Sequence, residues 1–282
     1  MTQTIAVVGG SGLYESGAVS VVAEHRVTTP WGSTSAPIVE SLIGGRRVLF
    51  LPRHGRGHIV GPSWVPYRAN VAALKRLGAQ AILSISACGS LREEMGPGHV
   101  VIPDQFIDRT RHRVDSFFGQ GVVAHVSLAD PFCDKFSAAA AQIIPRGIQV
   151  HRGGTYLAME GPQFSTRAES HWYRSMGASI IGMTNLTEAR LAREAELCYA
   201  SLSFVTDYDC WKDEHVTVDE VLRVLHRNAD VSKSIIAAIA GLPQWSGCHC
   251  SSALQYALVT PPEARDPSAV QMLNYLNPSV KL

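Results

Sequence analysis

The chain has 282 residues, 46% of them hydrophobic and 17% charged, with a formal net charge of +1. That is the make-up of an ordinary globular protein able to bury a real core. A balance so near neutrality gives no electrostatic basis for binding nucleic acid or an acidic membrane surface, and no window approaches the roughly 20 apolar residues of a membrane span.

In chain order, Ile5 to Tyr14 is a short β-rich run that breaks into Gly9-Gly10-Ser11-Gly12, which predicts a strand followed by a phosphate-type loop. Arg47 to Leu51 predicts a second buried strand, running into Pro52-Arg-His-Gly-Arg-Gly-His58. Pro66 opens a helix from Tyr67 to Leu77 that Gly78 can cap. Ala81 to Ala87 is a third strand ending in Cys88-Gly89-Ser90, and His99 to Ile107 a fourth, with Pro103 marking a bulge or an edge. Arg109-Thr-Arg-His-Arg113, the densest basic run, reads as a solvated loop.

The second half repeats the rhythm. Gly154 to Glu160 is a strand ending in Gly161-Pro162, and Thr166-Arg-Ala-Glu169 is a capping box for a helix to Met176. Ala178 to Met183 is a strand, Thr187 a cap for a helix through Glu196, and Leu197 to Val205 a buried strand. A second capping box, Thr217-Val-Asp-Glu220, starts a long amphipathic helix. Strands alternating with helices predict an α/β fold, one domain over 1–282 with a twisted, parallel or mixed sheet flanked by helices. From about residue 243 the composition loosens, and the tail beyond Pro261-Pro262 is expected to be mobile or to lie across a neighbouring surface.

The N-terminus lacks a basic region followed by a long apolar stretch, which predicts a cytoplasmic protein. Six scattered cysteines argue against a disulfide scaffold. Cys248-His249-Cys250 is too short a spacing for a paired zinc knuckle and has no second cysteine pair downstream, leaving free thiols, a redox role or a strained disulfide.

Ligands of open α/β sheets sit beyond the carboxyl ends of the strands. These strands deliver Gly9 to Gly12, Arg53-His54, Ser86-Ala87, Glu160 and Phe164, Met183-Thr184, and Asp207 with Asp209. The glycine turn has neither the dinucleotide spacing nor the Lys-Ser/Thr of a P-loop. Joined by Arg53, His54, Ser86 and Thr184, it forms an oxyanion site that fits phosphate better than carboxylate. Phe164, Ile181 and Met183 can line a slot for a flat ring, though for each residue singly core packing is the more frequent explanation. Asp207 and Asp209 alternate onto one face of an extended chain, where a shared-proton Asp207 can donate to a ring nitrogen and ionised Asp209 accept from an exocyclic amine. The plainer reading is that one of them caps the following turn.

The segments GGSGLY, RHGRGH, ACGSLREE, DQFIDRT, DPFC, EGPQFSTRAES, GMTNLTEA and TDYDCW, in this order, resemble the purine nucleoside phosphorylase family, and within it the 5′-methylthioadenosine group, from about Ile5 to Ile239. The resemblance implies the nucleoside phosphorylase fold, a trimer, and phosphorolysis of a purine nucleoside with inorganic phosphate as co-substrate and no metal or organic cofactor. Motif by motif it implies a phosphate site of Ser11, Arg53, His54, Ser86 and Thr184, with Ala87 bordering phosphate and nucleoside. The nucleoside site would be Phe164, Ile181, Met183, Asp207 and Asp209, with Asp207, Asp209 and His54 as catalytic groups. Keeping both acids favours a 6-aminopurine. Val218 and Val221, standing where relatives that bind a 5′-hydroxyl offer histidine, suit a methylthio group, and His125 resembles a residue lent by a neighbouring subunit. Gly182 and Ser11 depart from the polar residue and threonine of the animal enzymes. The CHC element is similar to that of archaeal members, some hexameric and disulfide-bonded. Competing readings are a phosphorylase for adenosine, inosine, guanosine or methylthioinosine, a hydrolytic nucleosidase, a dinucleotide-binding module, and a nucleoside-binding protein without catalysis.

Overall fold

The computed structural model describes residues 2–10, 20–212, 228 and 230–278. The strands are β1 (Ile5–Gly9), β2 (Val21–His25), β3 (Thr28–Thr29), β4 (Gly32–Ser33), β5 (Ile38–Ile43), β6 (Arg46–Pro52), β7 (Ala81–Ser90), β8 (Val100–Ile102), β9 (Gln105–Arg109), β10 (Val150–Arg152), β11 (Thr155–Met159), β12 (Ile180–Gly182) and β13 (Cys198–Asp207). Among them run helices α1 (Tyr67–Arg76), α2 (Asp134–Ala141), α3 (Arg167–Ser175), α4 (Asn185–Glu194), α5 (described over 230–238) and α6 (Pro267–Leu276). The main sheet has the order β10-β8-β13-β7-β1-β6-β5-β2, and β12, β11 and β9 branch from the far end of β7. It is mixed: β1 lies parallel to β6 and β7, and β7 parallel to β13, whereas β12 meets β7 antiparallel.

Alternation along the strands divides the core. Ile5, Val7, Phe50, Leu83 and Leu202 face α2 and α5 through Phe136, Ile235 and Ile236. Ala6, Val8, Leu49, Ile82 and Tyr199 face α1, α4 and α6 through Leu74, Ala192 and Leu273. A sheet covered on both faces explains why β1 and β13 read as unbroken apolar runs.

Several expectations change. His99 to Ile107 is two strands, because Pro103 parts β8, which pairs with β13 and β10, from β9, which pairs with β11. α4 starts at Asn185 after Thr184, so Thr187 is a buried residue inside the helix and not its cap. The basic run is not a solvated loop: the Arg113 side chain is 1% exposed, and Arg109 lies over Trp172 at 4.6 Å. The chain beyond Pro261 is not loose, since α6, capped by Asp266, buries Leu273 and Leu276 against the core. The capping box at Thr166 and Glu169 is present as expected. The box at Thr217 lies outside the described residues.

Candidate active site

Arg53 continues β6 with its N–H on the Gly9 carbonyl, at 3.0 Å. Its guanidinium is turned inward: Nε donates to Glu188 Oε1 at 2.6 Å, Nη2 to Glu188 Oε2 at 3.2 Å, to Ser84 and to the Val8 carbonyl, and Nη1 to the Ile85 carbonyl at 3.2 Å. A cation only 3% exposed needs such a counter-charge, so Arg53 is an internal ion pair as well as an edge of the site. Among the described residues Nη1 has this one partner for its two hydrogens.

His54 is buried beside it, stacked on His58 with ring centroids 4.2 Å apart. Nδ1 donates to the Val60 carbonyl at 2.8 Å. Burial, then the Arg53 charge, pushes its pKa down to about 4. The ring is therefore neutral near pH 7 and presents Nε2 as an acceptor.

Ser86 and Thr184 both bond to Asn185, which is fully buried. Asn185 Nδ2 donates to Ser86 at 3.2 Å and to Ser201 at 2.6 Å, while Oδ1 accepts from Ser84 at 3.2 Å and from Thr184 at 3.4 Å. All four amide valences are filled, which fixes these hydroxyls in place. α4 begins here without a side-chain cap, so its first-turn N–H groups point out unpaired by a capping side chain. Neither Asn185 nor Glu188 was singled out from the sequence. Their signal was the polar TNLTE run immediately following a buried strand.

The acid pair is built differently from the alternation first expected. A register shift between Val205 and Asp207 places Asp207 opposite Gly89 of β7, and Asp209 has φ of +51°, so the chain is no longer extended there. Asp209 N–H donates to Asp207 Oδ2 at 2.8 Å, the turn that the capping reading foresaw. Both acids still converge, because Gly89 lies between Asp207 and Ile181 in adjacent strands. A Cβ at Gly89 would sit 3.1 Å from Asp207 Oδ2, 3.1 Å from Ile181 Cγ2 and 3.4 Å from Asp209 Cβ. Burial raises the pKa of both carboxyls, and for Asp209 the neighbouring Asp207 adds to it. Asp209 is 7% exposed; its Oδ2 makes no full hydrogen bond among the described residues, although the Ser170 and Ser165 hydroxyls lie close enough to the carboxyl to offset part of the rise.

Near this pair, Ala87 is exposed in an otherwise mostly buried strand. Met183 packs under the Gly161-Pro162 loop, and a Cβ on Gly161 would fall 2.5 Å from its sulfur. Phe164, in the same loop, is 66% exposed. Cys210 bonds back to Ser165 at 3.2 Å and Trp211 Nε1 to the Ser90 carbonyl at 2.8 Å, tying the segment after the acids to this wall. Arg113 clamps the wall from behind, donating to the carbonyls of Met159, Glu160 and Met183. Against the cost of burial, hydrogen bonds from Ser63 and the Arg111 N–H hold the Glu160 carboxyl down at about 2. Gly182 has a local reason: a Cβ there would meet the buried Tyr156 hydroxyl at 1.9 Å. Ser11, Val218 and Val221 lie outside the described residues. His125 is exposed, its N–H on the Ala257 carbonyl at 2.8 Å, in a segment bridged to the C-terminal extension.

The sheet is mixed, with the hydroxyls of Ser86 and Thr184 and the acids Asp207 and Asp209 carried on and beside its strands; residues 4–240 match the Phosphorylase superfamily, to which the chain belongs. Within that family it is 53% identical over 267 residues to the S-methyl-5′-thioadenosine phosphorylase of Geobacter sulfurreducens, covering 92% of this chain and 93% of that one. It is 51% identical to that of Cereibacter sphaeroides, with 97% of each chain covered. Among solved structures, a methylthioadenosine phosphorylase from an antarctic soil metagenomic library superposes with a TM-score of 0.89 at 46% identity, over 98% of this chain and 99% of that one. A variant adenosine/methylthioadenosine phosphorylase from Schistosoma mansoni, in complex with methylthioadenosine, gives 0.81 at 38% identity, over 86% and 91%.

Proposed function

We propose that the chain catalyses phosphorolysis of 5′-methylthioadenosine, with inorganic phosphate as co-substrate, to adenine and 5-methylthioribose 1-phosphate. The observation that carries the purine specificity is the buried Asp209 Oδ2, without a hydrogen-bond partner among the described residues, beside Asp207 across Gly89. Such an acceptor is costly unless a donor meets it, and the exocyclic amine of adenine is a donor where the oxygen of a 6-oxopurine is not.

The burial of its carboxyl supports Asp207 as the proton carrier. Thr206 Oγ1 lies 2.5 Å from Asp207 Oδ1 and 3.2 Å from the Cys88 carbonyl. Thr206 Oγ1 and the Asp209 N–H both donate to the Asp207 carboxyl and favour its ionised form, but burial outweighs them and raises its pKa, so that Asp207 can carry a proton. That proton goes to purine N7 as the glycosidic bond lengthens, making adenine a neutral leaving group. Phosphate, cradled by Ser11, Ser86, Thr184, the Arg53 Nη1 edge and the α4 N-terminus, attacks the anomeric carbon and stabilises the positive charge developing on the sugar. His54 Nε2, an acceptor, takes a hydrogen bond from the P–OH of the monohydrogen phosphate.

Phe164, Ile181 and Met183 hold the ring, and Val218 with Val221 receive the methylthio group. His125, exposed in the single chain, completes the 5′ pocket of a neighbouring subunit in a homotrimer or a pair of trimers. No described helix is long and apolar enough to cross a membrane, which fits the proposed cytoplasmic location. Residues 1–282 act as one catalytic unit with a C-terminal extension from about 243, a reading supported by the packing of α6 on the core. Adenosine is the second substrate reading, favoured by the name of the Schistosoma relative. The test is adenine release from methylthioadenosine with and without phosphate, with adenosine and inosine alongside. Release that needs phosphate and prefers methylthioadenosine supports the proposal, and release without phosphate overturns it.

A further inference from the structure

At the opposite end of β13 from Asp207, four cysteines from three parts of the chain meet. Cys198 opens β13, Cys133 caps α2, and Cys248 and Cys250 come from the C-terminal extension. All are free thiols, and their sulfur atoms lie within 4.8 Å of one another, Cys198 and Cys248 at 3.6 Å. Zinc–thiolate bonds of about 2.3 Å in a tetrahedron put neighbouring sulfurs about 3.8 Å apart, so closure needs shifts of no more than about one ångström.

The surroundings are those of thiolate ligands. Trp245 Nε1 lies 3.3 Å from Cys198 Sγ, the Phe136 N–H 3.4 Å from Cys133 Sγ, and Arg193 Nη1 3.7 Å from Cys250 Sγ. Three N–H donors aimed at three different sulfurs is the outer shell that a metal-bound thiolate requires, and the arginine offsets part of the net negative charge of a tetrathiolate. Gly247, at φ +74°, turns the chain so that Cys248 and Cys250 both point inward while His249 stays exposed. Three of the four cysteines are buried and Cys248 is half-buried, which matches a closed structural site rather than one open to substrate.

We infer that Cys133, Cys198, Cys248 and Cys250 bind one zinc ion that pins the C-terminal extension to the base of the sheet. All-sulfur ligation selects a soft or borderline cation over magnesium or calcium. Binding displaces the four thiol protons to solvent and forms four zinc–sulfur bonds, with no change of oxidation state. The ion takes no part in the reaction, because Cys198 and Asp207 stand nine residues apart along one strand, about 30 Å.

The experiment is metal analysis of the full chain purified under reducing conditions without chelator, then dialysed with equimolar zinc chloride. The expected result is about one zinc per chain, released when the thiols are titrated with an organomercurial. Exchange with cobalt chloride should give the intense visible bands of tetrahedral cobalt–thiolate. Cys248→Ser should lose the metal and lower Tm by about 10 °C or more. The cobalt spectrum of the unaltered chain keeps the test decisive if that variant does not fold. Four reactive thiols with no retained zinc, a cobalt spectrum without thiolate bands, or disulfides among these cysteines that persist under reduction would each overturn the assignment.

Discussion

Asp209 donates its backbone N–H to Asp207 Oδ2 at 2.8 Å, so one acid of the pair is held by the peptide of the other. This turn fills one oxygen of Asp207, while Asp209 Oδ2 is buried without a hydrogen-bond partner among the described residues. The two carboxyls are thus unequal before any substrate arrives, and the proposed roles follow from that inequality.

Asp207→Asn keeps the size and a hydrogen-bonding group but cannot give up a carboxyl proton. Turnover of methylthioadenosine should fall by about 10²- to 10⁴-fold with little change in KM. Because the working form is protonated and the carboxyl is raised by burial, wild-type kcat should decline on the alkaline side as pH passes its elevated pKa. A kcat–pH profile of both enzymes checks this, and the variant should lack that limb.

Asn185→Leu should destabilise the fold by about 2–4 kcal/mol, because four hydroxyls lose a buried partner. In the folded fraction the KM for phosphate should rise about tenfold while that for the nucleoside changes little, since Ser86 and Thr184 lose their anchor. Denaturant melts and initial-rate kinetics on the same preparation separate the two effects.

Glu194 accepts from the Phe117 N–H at 2.6 Å and from Ser116 at 2.7 Å, yet burial raises its pKa from 4.5 to about 7. The folded chain holds this proton more tightly than the unfolded chain. Its stabilising contribution is full below pH 4.5 and is lost as pH rises through 7, about 3 kcal/mol in all. Thermal melts should therefore show wild-type stability falling across that window, and Glu194→Gln should flatten the fall.

Gly182→Ala places a methyl against the Tyr156 hydroxyl and should cost about 1–3 kcal/mol. Tyr156→Phe in the same chain should recover part of the loss, and a double-mutant cycle measures the coupling.

The α/β rhythm, the ends of β1, β6 and α1, and the capping box of α3 were legible because each rests on local pattern: apolar runs, a proline before a helix, Thr-x-x-Glu. β2 and α2 were passed over, since an exposed strand and an alanine-rich helix carry weak periodicity, and β5 because its run IVESLI, though mostly buried, does not alternate cleanly. Of the candidate site, Arg53, His54 and Thr184 were singled out by their place after strands, and Ser86 by the polar residues toward the end of an apolar run. The inward turn of Arg53 was not, because Glu188 lies 135 residues away. The geometry at Asp207 and Asp209 depends on a bulge and a left-handed residue that no alternation rule contains. The cysteine cluster was hidden for a like reason: the second pair lies upstream, at Cys133 and Cys198, and not downstream of Cys250.

The central claim is that Asp209 selects the 6-amino group while Asp207 serves the leaving nitrogen. The direct test is kcat/KM for methylthioadenosine and methylthioinosine, measured side by side for the wild type and Asp209→Asn. The account predicts that the preference for methylthioadenosine falls by about 100-fold or inverts in the variant, since a carboxamide can donate to the 6-oxygen. An equal loss on both substrates, with the ratio unchanged, would contradict it.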